Sequence, residues 1–497
     1  MRPRSDHQAL SHAAIYLVAR GLPGAIAFLA IPLFSRLLAP ADYGRYALVV
    51  ATVSLLNALL FQWLRLSLLR YLPAYRDDPG RLKSTLTTVT GLLLTVLGIL
   101  AAVACATPIP AEWRGVLVAG WVLLATQAVF EQCCEYARSS IRPGRYMALQ
   151  VTKSTLAIGV GVGLVLLGAR WWGPLGGMVC GMAIGAVWAY RADWRDVRWV
   201  VDRRVLAEVC RYGIPLSLTV ALAVVIESSD RFLIAWWSGQ GAAGLYAVSV
   251  DFASQTLTLL MLSVSMAMFP LAVREWEQEG PQGAQEQMRT NASLLLAVGV
   301  PCVVGLVVLA PGIANCFLGK EFRATAALII PVVAVGTFLA GLKAYHFDAA
   351  FQFAHRTIWQ VWIVLFAAIL NVALNLVAIP RWGVAGAAGV AVITYLITTV
   401  LTAWLGRRHF VVPWPMGSCG QVAVAAGAMA VVIVPFRGFH GGIALAGQVM
   451  AGAVVYGLML VGMNFLGLRD AVIGRLRRRC AVEARGGGVV APLVETR

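Results

Sequence analysis

The stretch RLLAPADYGRYA, residues 36–47, joins two long apolar runs of the chain. The runs cover roughly residues 13–35 and 46–64, and each is about as long as a helix that crosses a bilayer. Pro40 breaks the first run, and Ala41 and Asp42 suit the first turn of the second. The stretch therefore predicts a short polar turn between two membrane helices. Part of it returns 200 residues later as GLYA, again between apolar runs.

Composition excludes an ordinary soluble protein. The 497 residues are 60% hydrophobic and 13% charged, whereas soluble domains carry about 25% charged residues. Membrane-length apolar runs recur along the chain, and only helices or closed barrels can satisfy their own backbone in lipid. Alternating segments typical of a barrel are absent from the sequence. The net charge of +17 does not indicate a nucleic-acid partner, because the basic residues fall in the loops between runs.

The apolar runs predict an all-α integral membrane protein with about fourteen transmembrane helices. A second repeat, WGPLG at 172–176 and WGVAG at 382–386, separates the fifth run from the sixth and the eleventh from the twelfth. Two repeats at similar offsets predict two parallel six-helix lobes. The predicted organisation is an N-terminal lobe with a basic connector (1–211), a C-terminal lobe (212–410), an extra helix pair (411–468) and a basic cytoplasmic tail (469–497).

Basic residues also predict the orientation. Most of the 40 lysines and arginines fall in the segments that share a side with the N-terminus, which places both termini in the cytoplasm. All loops on the other side are short, so the chain offers no aqueous domain for catalytic groups, and no Walker motif is present. We therefore expect a protein that is not an enzyme and that has no cofactor and no metal site.

Several segments resemble the bacterial polysaccharide transporter family, which includes the flippases for O-antigen and exopolysaccharide repeat units. The resemblance is carried by SRLLAPADYGRYA (35–47), YGIP (212–215), DRFLI (230–234), GLYA (244–247) and the Phe-Pro pair at 269–270. It spans most of residues 12–405, and the last two helices fit it only by number. The wider superfamily also holds multidrug and toxin extrusion transporters and lipid II flippases.

The resemblance implies alternating access between two six-helix lobes in the bacterial inner membrane. The cargo would be an isoprenoid-pyrophosphate-linked oligosaccharide of the undecaprenyl type, moved from the inner to the outer leaflet for polysaccharide biosynthesis. Partners would be this lipid, the bilayer and polysaccharide polymerase or assembly proteins. A cation-coupled multidrug or small-molecule exporter of the same superfamily is the alternative.

Ionisable residues inside spans are expensive and are therefore the candidates for function. A pyrophosphate headgroup needs cations, which makes Arg20, Lys153 and Lys343 the predicted substrate-binding residues, although Lys153 and Lys343 also suit snorkelling to the inner interface. Arg20 precedes Gly21-Leu22-Pro23-Gly24, which can bend the first helix.

Four charged residues of the second lobe form a predicted coupling-ion or ion-pair site: Glu227, Asp230, Arg231 and Asp251. Glu227 and Arg231 are four residues apart on one helix and can pair. A packing ion pair is the alternative role. The polar turn at 36–47 carries neither function in this interpretation: its later copy lacks Asp42 and Arg45, so we expect the turn to mark the architecture only.

Overall fold

The computed structural model describes residues 21, 23–75, 77–108, 110–439 and 441–470. These residues form α-helices joined by short turns, and no β-strand occurs among them. Ten of the helices in this described part are long and apolar enough to cross a membrane. The protein is therefore a multi-pass membrane protein, as the composition predicts.

The described residues of the first half form seven α-helices: α1 (Pro23–Leu37), α2 (Pro40–Leu60), α3 (Gln62–Tyr71), α4 (Pro79–Ala106), α5 (Ala111–Ser139), α6 (Pro143–Leu164) and α7 (Trp172–Asp193). Proline stands in the first turn of α2, α4 and α6, where its missing N–H costs nothing. Pro40 therefore starts α2, and the turn before it is only residues 38–39. The predicted helix start at Ala41 and Asp42 is therefore within one residue of the observed start.

The second half, as far as residue 470, forms six α-helical runs: α8 (Arg203–Phe317), α9 (Arg323–Leu342), α10 (Ala349–Phe353), α11 (Ile358–Gly406), α12 (Met416–Ile433) and α13 (Gly442–Gly462). Three glycines with left-handed φ values of 85°, 73° and 55°, Gly239, Gly280 and Gly383, interrupt α8 twice and α11 once. Such a φ suits glycine because it has no Cβ atom. The run α8 is thus three consecutive segments, 203–238, 240–279 and 281–317, and α11 is a pair.

Two large apolar cores hold the helices together. One is built from α2 to α7 and the start of α8, with Phe61, Phe130 and Leu149 among its fully buried side chains. The other gathers α9, α11, α12, α13 and the later part of α8, and it also includes Phe34 of α1 and Tyr43 of α2. The beginning of the chain therefore packs on the second half.

The connector between the halves is bound to the start of α4. Lys83 Nζ donates to Asp196 Oδ1 at 2.7 Å and to the backbone oxygen of Asp193 at 2.8 Å. Arg81 pairs with Asp202, and this hydrogen bond lowers the pKa of the Asp202 carboxyl. Asp202 also accepts from Arg204 N at 2.8 Å and so caps α8. These ion pairs and hydrogen bonds hold the connector against the first half of the protein.

Close packing of α6 on α7 depends on a row of glycines spaced by four residues. A Cβ atom on Gly177 would lie 2.6 Å from Gly161 N, and one on Gly181 would lie 2.6 Å from Lys153 O. Small residues at this spacing let two membrane helices approach until their backbones touch. The contact at Gly181 fixes the backbone of Lys153.

Replacing Gly177 by Val should destabilise the protein, because the added side chain meets the α6 backbone, which cannot move aside. We expect a loss of about 1–3 kcal/mol, measured as a lower Tm of the purified protein in detergent. Gly163→Val is the matched control, since a Cβ atom at Gly163 has nothing within 4 Å. Equal Tm values for the two variants would contradict this packing.

Candidate functional site

The helical bundle has two ends, and we name them by what they carry. The turn end holds the α1–α2 turn and the breaks at Gly239 and Gly383, and the connector end holds the connector 194–202 and the break at Gly280. The predicted site residues divide between them, with Arg231 and Asp251 toward the turn end and Lys153 and Lys343 toward the connector end.

At the turn end, the two copies of the repeat contact each other. A Cβ atom on Gly44 would lie 3.0 Å from Gly244 N, and one on Gly244 would lie 2.8 Å from Gly44 N. Each glycine also faces the carbonyl oxygen four residues before the other, Gln240 O for Gly44 and Pro40 O for Gly244. The contact is symmetric under exchange of the copies, as expected for two helices related by a pseudo-twofold axis.

Polar side chains surround this glycine contact. Arg45 Nε donates to Gln240 Oε1 at 2.6 Å, which joins α2 to α8 across the two halves. Arg231 pairs with Asp251 at 2.5 Å, and Tyr43 of α2 lies beside this pair. The partner of Arg231 is thus Asp251 on the next segment and not Glu227 on its own helix. The stretch 36–47 is more than an architectural marker, because its side chains take part in the contact between the halves.

Asp230 lies at the centre of a buried network. Tyr246 donates its hydroxyl to Asp230 Oδ2 at 2.7 Å, and Asn375 Nδ2 donates to Asp230 Oδ1 at 2.6 Å. Asn371 Oδ1 accepts from Ser229 at 3.0 Å and from Asn375 at 3.1 Å. The two asparagines thus join α11 to α8 by hydrogen bonds between helices.

Parts of this network have no partner. Asn371 Nδ2, Asn375 Oδ1 and Thr394 Oγ1 are buried and make no hydrogen bond to the described residues. One carboxylate with nearby amide and hydroxyl oxygens is a ligand set that suits a hard cation. Asp230, Asn371 and Asn375 are therefore the residues that could hold one.

A second polar region lies toward the connector end of the first half. It is a cavity of about 230 Å³ lined by Gln62, Arg65, Leu66, Phe130, Glu131, Cys134, Glu135, Arg138, Tyr146, Gln150 and Lys153. Two of its cations are already paired, Arg65 with Glu131 and Arg138 with Glu135. Glu131 also accepts from Asn57 at 2.9 Å and from Gln127 at 2.7 Å. Both carboxylates of the cavity are thus satisfied by the protein.

Lys153 is the third cation of this cavity. Its Nζ lies 5.5 Å from the centre of the Phe130 ring, and within the described ranges no hydrogen bond or ion pair reaches it. Of the three basic side chains that line the cavity, Lys153 is the one that no described carboxylate pairs with. Such a group is costly inside a membrane protein and is typical of a site that awaits an anion.

The other two predicted substrate-binding residues, Lys343 and Arg20, differ from Lys153. Lys343 donates to both oxygens of Asp348 at 3.0 Å, and both side chains are mostly buried. The turn Lys343–Phe347 is a π-helix, whose wider pitch brings residues five apart together. Arg20 lies outside the described residues, so its predicted role stays a prediction.

The sequence interpretation missed Arg65 and Arg138, which lay in predicted loops, and Glu131, which lay at the end of the predicted fourth apolar run. The sequence does carry a signal for Glu131, because it directly follows apolar residues and lies four residues after Gln127, which is a helical spacing.

The fold and the sequence identify the class of protein to which this chain belongs. Over 92% of this chain and 100% of the other, the structure is similar to that of the lipid II flippase MurJ in an inward closed conformation, with a TM-score of 0.74 and 12% identity. It is also similar to an inward-facing multidrug resistance MATE transporter of the MOP superfamily, with a TM-score of 0.64 and 14% identity over 79% of this chain and 97% of that one. The chain has the fold of these membrane transporters.

Residues 33–327 match the family model described as polysaccharide biosynthesis protein, and the chain belongs to that family. A relative from Haloferax volcanii, the probable low-salt glycan biosynthesis flippase Agl15, is 21% identical over 327 residues, 64% of this chain and 67% of that protein. The uncharacterized membrane protein MJ1068 of Methanocaldococcus jannaschii is 19% identical over 205 residues, 41% of this chain and 40% of its own length. The resemblance found from the sequence is confirmed.

Replacing Lys343 by Gln should lower stability, because it leaves the mostly buried Asp348 carboxylate without its counter-charge. Breaking such a pair costs about 3–5 kcal/mol, so we expect a clear fall in the Tm of the detergent-purified protein. The double variant Lys343→Gln with Asp348→Asn should recover most of the loss. If the double variant were no more stable than the single one, the pair would not explain the burial of Lys343.

Proposed function

We propose that this protein is a flippase that moves an isoprenoid-pyrophosphate-linked oligosaccharide from the inner to the outer leaflet of a bacterial cytoplasmic membrane. The family, the transporter fold and the named glycan flippase among its relatives support this assignment. The unneutralised Lys153 in a polar cavity within the membrane is the observation that carries it. Polysaccharide polymerase or assembly proteins would take the cargo after translocation.

The proposed topology has fourteen crossings with both termini in the cytoplasm. Counting the three segments of α8 and the two of α11 separately gives the crossings, with α2 and α3 as one kinked span and α10 as a short turn at the connector end. The two six-helix lobes are then residues up to 211 and 212–410, followed by the pair α12 and α13. The excess of basic residues at the connector end supports placing that end in the cytoplasm.

The headgroup of the cargo would bind first in the Lys153 cavity. Sugar hydroxyls can hydrogen-bond to the amide groups of Gln62 and Gln150, and a phosphate can pair with Lys153. A cationic drug would instead meet a cavity with an excess of positive charge. The cavity therefore favours the anionic cargo over the alternative role of multidrug export.

The symmetric contact of Gly44 and Gly244 would form the outer gate. Alternating access requires the halves to separate at one end while they close at the other, and backbone contact at the turn end represents the outer-closed state. Opening must break the hydrogen bond between Arg45 and Gln240 and expose the nearby pair of Arg231 and Asp251. This places the charged pair where water enters when the gate opens.

The network of Asp230 would be the coupling-ion site. It combines a buried carboxylate with the unpartnered amide oxygen of Asn375, and its Tyr246 belongs to the same GLYA repeat as Gly244. A cation or proton on Asp230 would thus act on the helix turn that forms the gate. Glu227 lies one helical turn away and is the lesser candidate, since it makes no hydrogen bond to the described residues.

Replacing Lys153 by Gln should reduce surface polysaccharide by about tenfold or more, since a charge-assisted contact to phosphate is lost, worth about 1.5–3 kcal/mol. The measurement is polysaccharide per cell in a deletion strain that carries the variant, normalised to membrane protein abundance. Lys153→Arg is the control and should retain most of the export. Normal export by Lys153→Gln at normal abundance would refute the headgroup site.

Sodium ions should raise the Tm of the wild-type protein by several degrees relative to choline at equal ionic strength, because a ligand that binds only the folded state stabilises it. Asp230→Asn should abolish this rise, and Glu227→Gln should keep it, since Glu227 makes no hydrogen bond to Asn371 or Asn375 among the described residues. A proton in place of sodium would instead give a Tm that depends on pH in the wild type and not in Asp230→Asn. If the Asp230→Asn variant responded to sodium and to pH as the wild type does, Asp230 would not be the coupling residue.

A further inference from the structure

The connector runs along the surface of α4, and its second part forms a loop whose two ends are tied near the beginning of that helix. Arg198 N donates a hydrogen bond to Ser84 Oγ at 3.0 Å. Asp202 N donates to Thr85 Oγ1 at 3.2 Å. The two ends of the loop therefore lie side by side at the connector end of the bundle.

The middle of this loop reaches further along α4. Thr88 Oγ1 donates to Val200 O at 3.5 Å. The Trp199 ring lies against Gly91, where an added Cβ atom would be 2.7 Å from ring atom Cζ3. Because an α-helix rises about 1.5 Å per residue, Gly91 lies about 10 Å further along α4 than the residues that tie the two ends. We call residues 199–201 the connector tip.

The connector tip is apolar and exposed. Trp199, Val200 and Val201 are 70%, 58% and 37% exposed. Beside them, α4 also presents apolar side chains to the outside, and Leu92 is 61% exposed. This helix is long and apolar enough to cross a membrane, and it carries no charged residue after Lys83. The connector tip therefore lies beside the part of α4 that faces lipid, where exposed apolar side chains are stable.

The flanks of the tip are basic. They carry four exposed arginines with which no described carboxylate pairs: Arg195, Arg198, Arg203 and Arg204. Both acidic residues of the connector are already paired, Asp196 with Lys83 and Asp202 with Arg81. An apolar segment flanked by basic residues can bury its apolar part among acyl chains while the basic residues meet anionic headgroups.

We propose that the connector is a lipid-binding segment, in which the connector tip inserts into the bilayer and the four arginines bind the phosphates of anionic phospholipids. Charge complementarity and the apolar tip between the arginines favour a lipid surface over a soluble anion, which would need no apolar tip. Since Asp202 at the end of the loop caps α8, bound lipid also holds the start of the second half at a fixed depth. This proposal goes beyond the proposed function, because it concerns the lipid around the protein and not the cargo.

Loss of charge tests the arginines. Arg195→Gln combined with Arg198→Gln should weaken binding of phosphatidylglycerol to the full-length purified protein by about tenfold or more, measured by native mass spectrometry. Binding of phosphatidylcholine, which has no net charge, should be weaker and should not change. Arg356→Gln combined with Arg407→Gln is the matched control, because it removes the same charge from exposed positions at the same end of the bundle. This control should bind phosphatidylglycerol as the wild type does.

Cysteine labelling tests the connector tip separately. Val200→Cys in nanodiscs that contain phosphatidylglycerol should react several-fold more slowly with a water-soluble maleimide than Arg203→Cys, because the tip lies in lipid and Arg203 lies among the headgroups. Peptide mapping by mass spectrometry measures each introduced cysteine apart from the native ones. Both positions are exposed in the protein, so burial in the fold does not account for a difference between them.

The proposal fails if the variant that lacks Arg195 and Arg198 binds phosphatidylglycerol as tightly as the wild type does. Displacement of phosphatidylglycerol by equimolar inorganic phosphate would also overturn it, because the arginines would then form a site for a soluble anion. Equal labelling of Val200→Cys and Arg203→Cys would place the tip in water, where it would suit a partner protein instead. None of these results bears on the flippase assignment, which the export assay with Lys153→Gln tests.

Discussion

The symmetric backbone contact between Gly44 and Gly244 is the constraint on which the rest of the arrangement depends. It fixes how closely α2 and α8 approach at the turn end, and through them how the two halves meet. Any side chain at either position would hold the helices apart. Arg45, Tyr43 and the Arg231–Asp251 pair surround this contact.

The pairing of the charged side chains follows from the free-energy cost of placing a charge inside a membrane. Arg231, Lys343 and the arginines of the Lys153 cavity each have a carboxylate partner, and these pairs reduce the cost of placing them in the bundle. Lys153 has none, and the glycine row of α7 fixes the helix that carries it. A lysine without a partner destabilises the fold, but on a rigid helix it is well placed to bind an anionic ligand. Lys153 and Lys343 thus differ because Lys343 has a carboxylate partner, whereas both lie toward the same end of the bundle.

The sequence predicts much of this fold, and the failures have physical causes. Apolar runs and the two short repeats suffice for a multi-pass helical protein, but the repeats do not reveal that they touch, since contact depends on the crossing of helices. The spacing of four residues on one helix predicted Glu227 as the partner of Arg231. The break at Gly239 instead folds the next segment back, so that Asp251 pairs with Arg231. Lys343 and Lys153 look alike in sequence because the pairing with Asp348 needs a π-helical turn, which no simple period predicts.

A gate must be stable enough to close and weak enough to open, and the contact at the turn end meets both needs. No salt bridge joins α2 to α8 in the described part of the chain. The contact rests on close backbone packing, in which a Cα–H···O contact contributes about 0.5–1 kcal/mol, and on the hydrogen bond between Arg45 and a neutral glutamine. An ion pair across the gate would leave two uncompensated charges at each opening, whereas glycine backbones leave none. Cargo and a coupling ion need to supply only a few kcal/mol of differential binding to shift such an equilibrium. The charged pair beside the gate, Arg231 with Asp251, lies wholly within α8, so it can move with one half and stay intact when the gate opens.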